Sequence, residues 1–376
     1  MNKERHAELK VKWRRAGHPK FDRIIDDPVS DKVFVVYDVK HVEALDRETG
    51  KLVWKYTCPS KTSICFPTCT VTSSGLSFLL WGKRLSNTRQ WIVLDHQSGK
   101  DILIEELDLY GPANPVENLR GFPMGQGKML VEVGQAGCWL GKAGDFLSLR
   151  DSLAPITLVY RAGENRLLGS AVVEGNNTAI AITLDFQSIK NSEVTYFNPE
   201  ELGVISIRPL SYSRKYYVFE PFPFDGNLLI CNSKGELVLK IPDCKKQIHA
   251  VLNSQELEED FIVASSEGNC LSIRRFDVAN SRDKWRADLN VLSGSGIVPF
   301  YFTADGLLML RRTEDADGSS HGIFRIDSID LETGGTTEVK FKNRPDRIWS
   351  SEIDGLAWTE FGAEEGNLVF GSVFRS

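Results

Sequence analysis

The chain has 376 residues, of which 41% are hydrophobic and 26% charged, a balance that excludes disordered and collagen-like proteins. No apolar run approaches the roughly 18 residues of a membrane-spanning helix, so we expect no transmembrane segment. The net charge of −6 at pH 7 argues against a general nucleic-acid binder.

Residues 1–24 form a basic N-terminal arm. They hold eight Lys or Arg against three acidic residues, a local charge of +5, which leaves −11 for the remainder of the chain. Charge at the start, where a secretory signal needs an apolar stretch, favours a cytoplasmic protein. The arm could contact an acidic partner or pair with the acidic body of its own chain.

Strand patterns follow the arm. Short runs of β-branched and aromatic residues at Val33–Tyr37, His41–Leu45 and Leu52–Tyr56 are separated by polar turns, which predicts an antiparallel sheet. In the turn Asp46–Gly50 the aspartate can accept backbone hydrogen bonds, and the glycine supplies the left-handed conformation. We expect Trp54, on the strand after this turn, to fill the wedge between neighbouring sheets.

The cysteines indicate reduced thiols. There are seven, an odd number without a C-x-x-C pair, which is typical of a cytosolic protein. Cys58, Cys65 and Cys69 lie close together, but their spacing matches no common zinc module. We therefore expect no metal site.

The turn and its tryptophan recur along the chain. The turn aspartates are 49, 90, 92 and 53 residues apart, and counting each long gap as two periods gives a mean of about 47. We interpret the repeated residues as structural, because a shared turn position does not gather them in one pocket. They are Asp46, Gly50, Trp54, Asp95, Gly99, Asp185, Asp277, Trp285, Asp330 and Gly334.

This period predicts an all-β fold, a β-propeller of about eight, alternatively seven, four-stranded blades in a single domain over residues 1–376. Gly355–Phe361 and Asn367–Phe374 supply strands of a last blade that lacks an outer strand. Glu8–Trp13 can provide it, so we expect strands from both termini to close the last blade.

The first repeat resembles a known family. The strand Val33–Tyr37 and the series from Val42 to Trp54, with its Ala-Leu-Asp, Thr-Gly-Lys and Trp, are similar to the repeat of the pyrroloquinoline-quinone (PQQ)-like propellers. The segments around Asp95, Asp277 and Asp330 match this repeat in part.

The resemblance implies two kinds of protein. Quinoprotein dehydrogenases of this family bind PQQ beside a vicinal disulfide, with a calcium ion and a catalytic Asp. No two cysteines are adjacent in this sequence, so we expect no cofactor. Another branch, which includes the outer-membrane assembly lipoprotein, uses the ring as a cofactor-free protein-binding platform, and the length of the chain favours that branch. The lipoprotein has a lipidated Cys near its start, whereas the first Cys here is Cys58.

Two segments are candidate partner-binding surfaces. In the first, Pro residues stiffen an aromatic stretch that either presents its rings to a partner or buries them between sheets. Its candidates are Tyr216, Phe222 and Phe224. The second is an acidic loop that either steers a basic partner or is a solvated turn. Its candidates are Glu256, Glu258, Glu259 and Asp260.

Enzymatic motifs are absent from the sequence: there is no P-loop, nucleophile elbow or paired-histidine motif. We therefore predict a non-enzymatic propeller that binds another protein through one ring face, and a basic protein is one possible partner. It would serve as an adaptor or as an immunity-type inhibitor. We expect a monomeric ring with no nucleic-acid or membrane partner. The alternative is an enzyme or small-molecule sensor with its site at the central channel.

Overall fold

The structure of the chain is a computed structural model. It describes residues 7–18, 21–27, 30–81, 88–108, 119–133, 138–142, 145–153, 156–173, 176–253, 257–291, 300–303, 306–313, 323–339, 345–350, 356–360 and 366–375. β-Strands dominate these ranges, and the α-helix α1 (Leu149–Ser152) has only four residues. No helix in the same ranges has the length and apolar character that crossing a bilayer requires.

The chain divides into two compact units. One is Pro19–Glu201, and the other combines Met1–His18 with Leu202–Ser376. The first strand, β1 (Ala7–His18), belongs to the second unit. The prediction of a single domain over residues 1–376 stays a prediction.

The described residues of the unit Pro19–Glu201 form four antiparallel sheets of four strands each, and within each sheet the strands pair in chain order. Sheet 1 contains β2 (Phe21–Asp27), β3 (Lys32–Tyr37), β4 (His41–Asp46) and β5 (Leu52–Thr57). Sheet 2 contains β6 (Ser63–Thr72), β7 (Gly75–Trp81), β8 (Thr88–Leu94) and β9 (Asp101–Asp108). Sheet 3 contains β10 (Leu119–Pro123), β11 (Met129–Val133), β12 (Cys138–Lys142) and β13 (Asp145–Ser148). Sheet 4 contains β14 (Ile156–Gly163), β15 (Arg166–Val173), β16 (Asn176–Thr183) and β17 (Glu193–Phe197).

The second unit also contains four such groups of strands. Sheet 5 contains β18 (Ser206–Tyr212), β19 (Tyr216–Phe222), β20 (Leu228–Asn232) and β21 (Leu237–Ile241). Sheet 6 contains β22 (Gln247–Leu252), β23 (Phe261–Glu267), β24 (Cys270–Asp277) and β25 (Arg282–Asn290). Sheet 7 contains β26 (Phe300–Thr303), β27 (Gly306–Thr313), β28 (Ile323–Ile329) and β29 (Thr336–Val339). Sheet 8 contains β30 (Pro345–Ser350), β31 (Leu356–Glu360), β32 (Gly366–Arg375) and β1.

Sheet 8 is built from both ends of the chain. β1 pairs antiparallel with β32 from Ala7 to His18, and the rings of Trp13 and Phe370 stack with their centroids 5.4 Å apart. A single parallel pair, Ala7 with Val339, also joins β1 to β29. The prediction that the two termini together build the last blade is confirmed.

The apolar core lies in layers between consecutive sheets of each unit. On β23, Phe261 and Val263 belong to the buried cluster shared with sheet 5, whereas Ile262 and Ala264 belong to the cluster shared with sheet 7. Because successive side chains of a strand point to opposite faces, a strand covered on both faces is a continuous apolar run. The outer strand β25 instead alternates between buried or half-buried and exposed residues.

Candidate protein-binding surface

The turn aspartates lie at one repeated position, the connection between the third and fourth strands of a sheet. Oδ1 of Asp46 accepts hydrogen bonds from the backbone nitrogen and hydroxyl of Thr49, at 2.7 and 2.6 Å. Oδ1 of Asp95 accepts the same pair from Ser98, at 2.8 and 2.7 Å. These hydrogen bonds lower the pKa of both carboxyls. Equivalent turn contacts are made by Asp185, Asp277 and Asp330.

Two of these turns receive a tryptophan from the preceding sheet. The indole nitrogen of Trp54 donates to the carbonyl oxygen of His96 at 3.0 Å, and a Cβ added to Gly99 would lie 2.5 Å from the Trp54 ring. Trp285 makes the same contacts with the Leu331 carbonyl oxygen, at 2.7 Å, and with Gly334. Each glycine therefore provides the space in which an indole ring joins two sheets.

His96 joins sheets 1 and 2 through a buried ion pair that the sequence pattern did not indicate. Its Nδ1 lies 2.5 Å from Oδ2 of Asp27, and its Nε2 lies 3.1 Å from the Thr72 carbonyl oxygen. When Asp27 is ionised both partners are acceptors, each ring nitrogen then carries a hydrogen, and the ring is a charged imidazolium. The hydrogen bond to Asp27 raises the pKa of His96 above 6.5, although burial opposes the shift.

The candidate Asp260 is buried, with an exposed fraction of 7%. Its Oδ2 accepts a hydrogen bond from Arg275 Nε at 2.8 Å and lies 2.8 Å from Lys284 Nζ. Arg275 also donates to Glu332 at 2.7 Å, in the turn of sheet 7. A buried carboxylate needs such cations within the chain. Asp260 therefore does not belong to an exposed partner surface.

The other acidic candidates have different surroundings. Glu259 accepts a hydrogen bond from the hydroxyl of Ser213 at 2.6 Å and lies 3.8 Å from Lys215 Nζ, so it contacts the connection between β18 and β19. Glu258 is exposed and has a left-handed backbone with a φ of 52°. Glu256 lies outside the described residues.

The aromatic candidates divide between core and surface. Tyr216 and Phe224 are half-buried against the cluster between sheets 5 and 6. Phe222 is 63% exposed. Beside it is Ile205, which is 75% exposed and whose backbone nitrogen donates to the Phe222 carbonyl oxygen at 3.1 Å. No sequence pattern indicated Ile205, because the two residues meet only when β18 pairs with β19. We call Ile205 and Phe222 the apolar patch.

The apolar patch lies at one end of the strands β18 and β19, and Glu259 of the acidic loop contacts the other end. The strands β18 and β19 are antiparallel, and residues 213–215 connect them at one edge of the pair. The first residue of β18 and the last residue of β19 therefore lie together at the other edge. Glu259 contacts Ser213 in that connection. The structure therefore places Phe222 away from Glu259, whereas Tyr216, whose backbone nitrogen donates to Ser213 Oγ at 3.1 Å, lies at the same end as Glu259.

Comparisons with known proteins find similarity in structure alone. No family model and no curated protein sequence matches the chain. The crystal structure of BamB from Moraxella catarrhalis is similar at 12% identity with a TM-score of 0.56, covering 97% of this chain and 99% of that chain. Sqt1 from Saccharomyces cerevisiae is similar at 12% identity with a TM-score of 0.57, covering 98% of this chain and 99% of that chain. The C-terminal WD40 domain of Sif2 is similar at 11% identity with a TM-score of 0.57, covering 96% of this chain and 97% of that chain.

These similarities concern the fold, because the identities are low. Together with the eight groups of four strands, they show that the chain is an eight-bladed β-propeller. The predicted fold class is confirmed, and the described residues form eight blades rather than seven. Within the described residues, no group of three or more His, Cys, Asp or Glu side chains is arranged to hold a metal ion.

Proposed function

We propose that the chain is a non-enzymatic propeller that binds another protein, with the apolar patch as its main contact. The observation that carries this proposal is the exposure of Ile205 and Phe222, at 75% and 63%, on two residues whose backbones are hydrogen-bonded to each other at the end of sheet 5. Large apolar side chains that stay in water cost free energy, and an aromatic anchor is a common centre of a protein interface.

Further support comes from the repeat and the thiols. The aspartate turns agree with a PQQ-like repeat used as a scaffold, since these carboxylates bond to their own turns. The seven cysteines, all within the described residues, form no disulfide, and six are buried, which agrees with a cytoplasmic location. Within this proposal the chain acts as a monomeric adaptor or immunity-type inhibitor, and it binds neither nucleic acid nor membranes.

The test is capture of partners from an extract of the cells that make the protein. The tagged chain is compared with an Ile205→Ser, Phe222→Ser variant. The matched control is Leu237→Ser, Val238→Ser, because these residues are exposed at 41% and 44% on the outer strand of the same sheet. We expect the wild type and the control to retain the same partner and the patch variant to lose it.

Two results would contradict the proposal. One is a patch variant that keeps the partner while its circular dichroism and melting temperature match those of the wild type. The other is a native mass spectrum and absorbance scan that reveal a copurifying quinone or small molecule that the protein then turns over.

A further inference from the structure

An open groove with a volume of about 400 Å³ lies between sheets 3 and 4. One wall is the 3-10 turn Gly125–Gly127, and the other is formed by two turns of sheet 4. A backbone hydrogen bond joins the two walls: the nitrogen of Gly125 donates to the carbonyl oxygen of Glu164 at 2.5 Å. The groove is therefore part of the ordered contact between two blades.

The side chains around the groove favour a cation. They include two carboxylates, three amides and one aromatic ring, from Glu164, Asp185, Gln126, Asn165, Gln187 and Phe186. No Lys or Arg is among the residues that line it. Carboxylates and amide oxygens accept hydrogen bonds from ammonium and guanidinium groups, and an aromatic face attracts the same cations.

Two other blade junctions show a cation at the corresponding position of the turn. The residue two places after Asp95 is Gln97, whose Oε1 accepts from Lys32 Nζ of the preceding sheet at 2.9 Å. The residue two places after Asp330 is Glu332, whose Oε1 accepts from Arg275 of the preceding sheet at 2.7 Å.

In sheet 4 this position is Gln187, two places after Asp185, and it lines the groove. Its side chain is exposed and has no hydrogen-bond partner within the described part of the chain. Sheet 3 does supply a basic residue, Lys128, but its Nζ lies over the Phe186 ring, 4.9 Å from the centroid. The residue two places after the turn aspartate thus accepts from a cation at the other two junctions, whereas Gln187, at the junction of sheets 3 and 4, is exposed to solvent.

We propose that this groove binds an arginine or lysine side chain of a protein partner. The carboxylate of Glu164 and the amide oxygen of Gln187 accept hydrogen bonds from the cation, while Lys128 stays over the Phe186 ring. The net charge of −6 attracts a basic segment towards the chain. The inference rests on the proposed function only in assigning the cation to a protein.

The test uses N-acetylated tri-arginine amide as the probe, titrated into the full chain by calorimetry at low salt. Glu164→Lys reverses the charge of an exposed side chain in the groove, and we expect it to weaken binding about fivefold or more. The matched control is Glu193→Lys, an exposed carboxylate on β17 of the same sheet, which should change binding by less than about twofold. Acetylated tri-glutamate amide should not bind.

Three outcomes would overturn the proposal. These are no binding of tri-arginine, equal weakening by the two lysine variants, and tighter binding of spermidine than of tri-arginine, which would point to a free polyamine. None of these measurements uses the apolar patch. Tri-arginine binding that persists while patch-dependent capture fails would therefore reject the proposed function alone.

Discussion

Replacing Gly99 by alanine tests whether the Trp54 contact stabilises the junction between sheets 1 and 2. Gly99 has a φ of 66°, in the left-handed region, where a side chain costs about 1 kcal/mol. The new Cβ would also lie 2.5 Å from Cδ2 and 2.6 Å from Cε3 of Trp54, closer than atoms can remain. The indole ring must move.

The magnitude is the sum of three contributions. Overpacking of a well-filled site costs about 2 kcal/mol, and loss of the 3.0 Å hydrogen bond from Trp54 to the His96 carbonyl adds about 1 kcal/mol. With the backbone strain, Gly99→Ala should lower the free energy of unfolding by about 4 kcal/mol.

The matched control is Gly203→Ala. Gly203 has a φ of 72°, so alanine meets a similar backbone strain, but no atom lies within 4 Å of the added Cβ. We expect this variant to lose only about 1 kcal/mol. The difference between the two variants isolates the collision with Trp54 from the conformational cost.

The assay is urea unfolding followed by both tryptophan fluorescence and circular dichroism. A chain of this length can unfold in more than one step, so the two signals must coincide before a free energy is extracted. A second series places Gly99→Ala in a Trp54→Ala background, where its cost should fall to about that of Gly203→Ala. Equal costs for Gly99→Ala and Gly203→Ala in the wild-type background would refute the reasoning.

Three further predictions concern other buried contacts. The pKa of His96 is raised in the folded state, so its ion pair with Asp27 adds to the free energy of unfolding. This contribution is fully present below pH 6.5, the pKa of histidine in the unfolded chain, and it is lost as the pH rises through the higher pKa of the folded state. The stability of the wild type should therefore fall more than that of His96→Gln between about pH 6 and about pH 9, and parallel profiles would contradict a charged imidazolium. Trp285→Phe keeps a ring over Gly334 but loses the 2.7 Å hydrogen bond to the Leu331 carbonyl, so urea unfolding should show a loss of about 1 kcal/mol. An unchanged urea midpoint would mean that the hydrogen bond from Trp285 to the Leu331 carbonyl does not stabilise the folded chain. Arg275→Met removes a cation from the buried Asp260 and should cost about 3 kcal/mol by the same assay, whereas a loss near zero would show that Lys284 suffices.

The repeat made much of the fold predictable from the sequence. The strands around Val33–Tyr37 and Leu52–Tyr56 and the turn Asp46–Gly50 depend on neighbours within a few residues, so their patterns reveal them. Counting the period then predicted about eight blades, with seven as the alternative. The same reasoning placed the N-terminal strand beside the last blade, because that sheet lacked an outer strand.

The candidate site was less predictable. Phe222 and Phe224 belong to one aromatic run, but Phe222 is exposed and Phe224 packs against the core. Asp260 belongs to an acidic run, but Arg275 and Lys284 pair with it. A run of similar residues does not specify which of its members faces water.

The sequence by itself determined the strands, the turns and the period of the repeat, because each depends on short-range periodicity and on the hydrogen bonds of one connection. Only the tertiary structure decided which side chains meet between sheets. His96 and Asp27 are 69 residues apart, and Ile205 reaches Phe222 through strand pairing. Such contacts depend on register and burial across separate segments, and no local pattern along the chain encodes them.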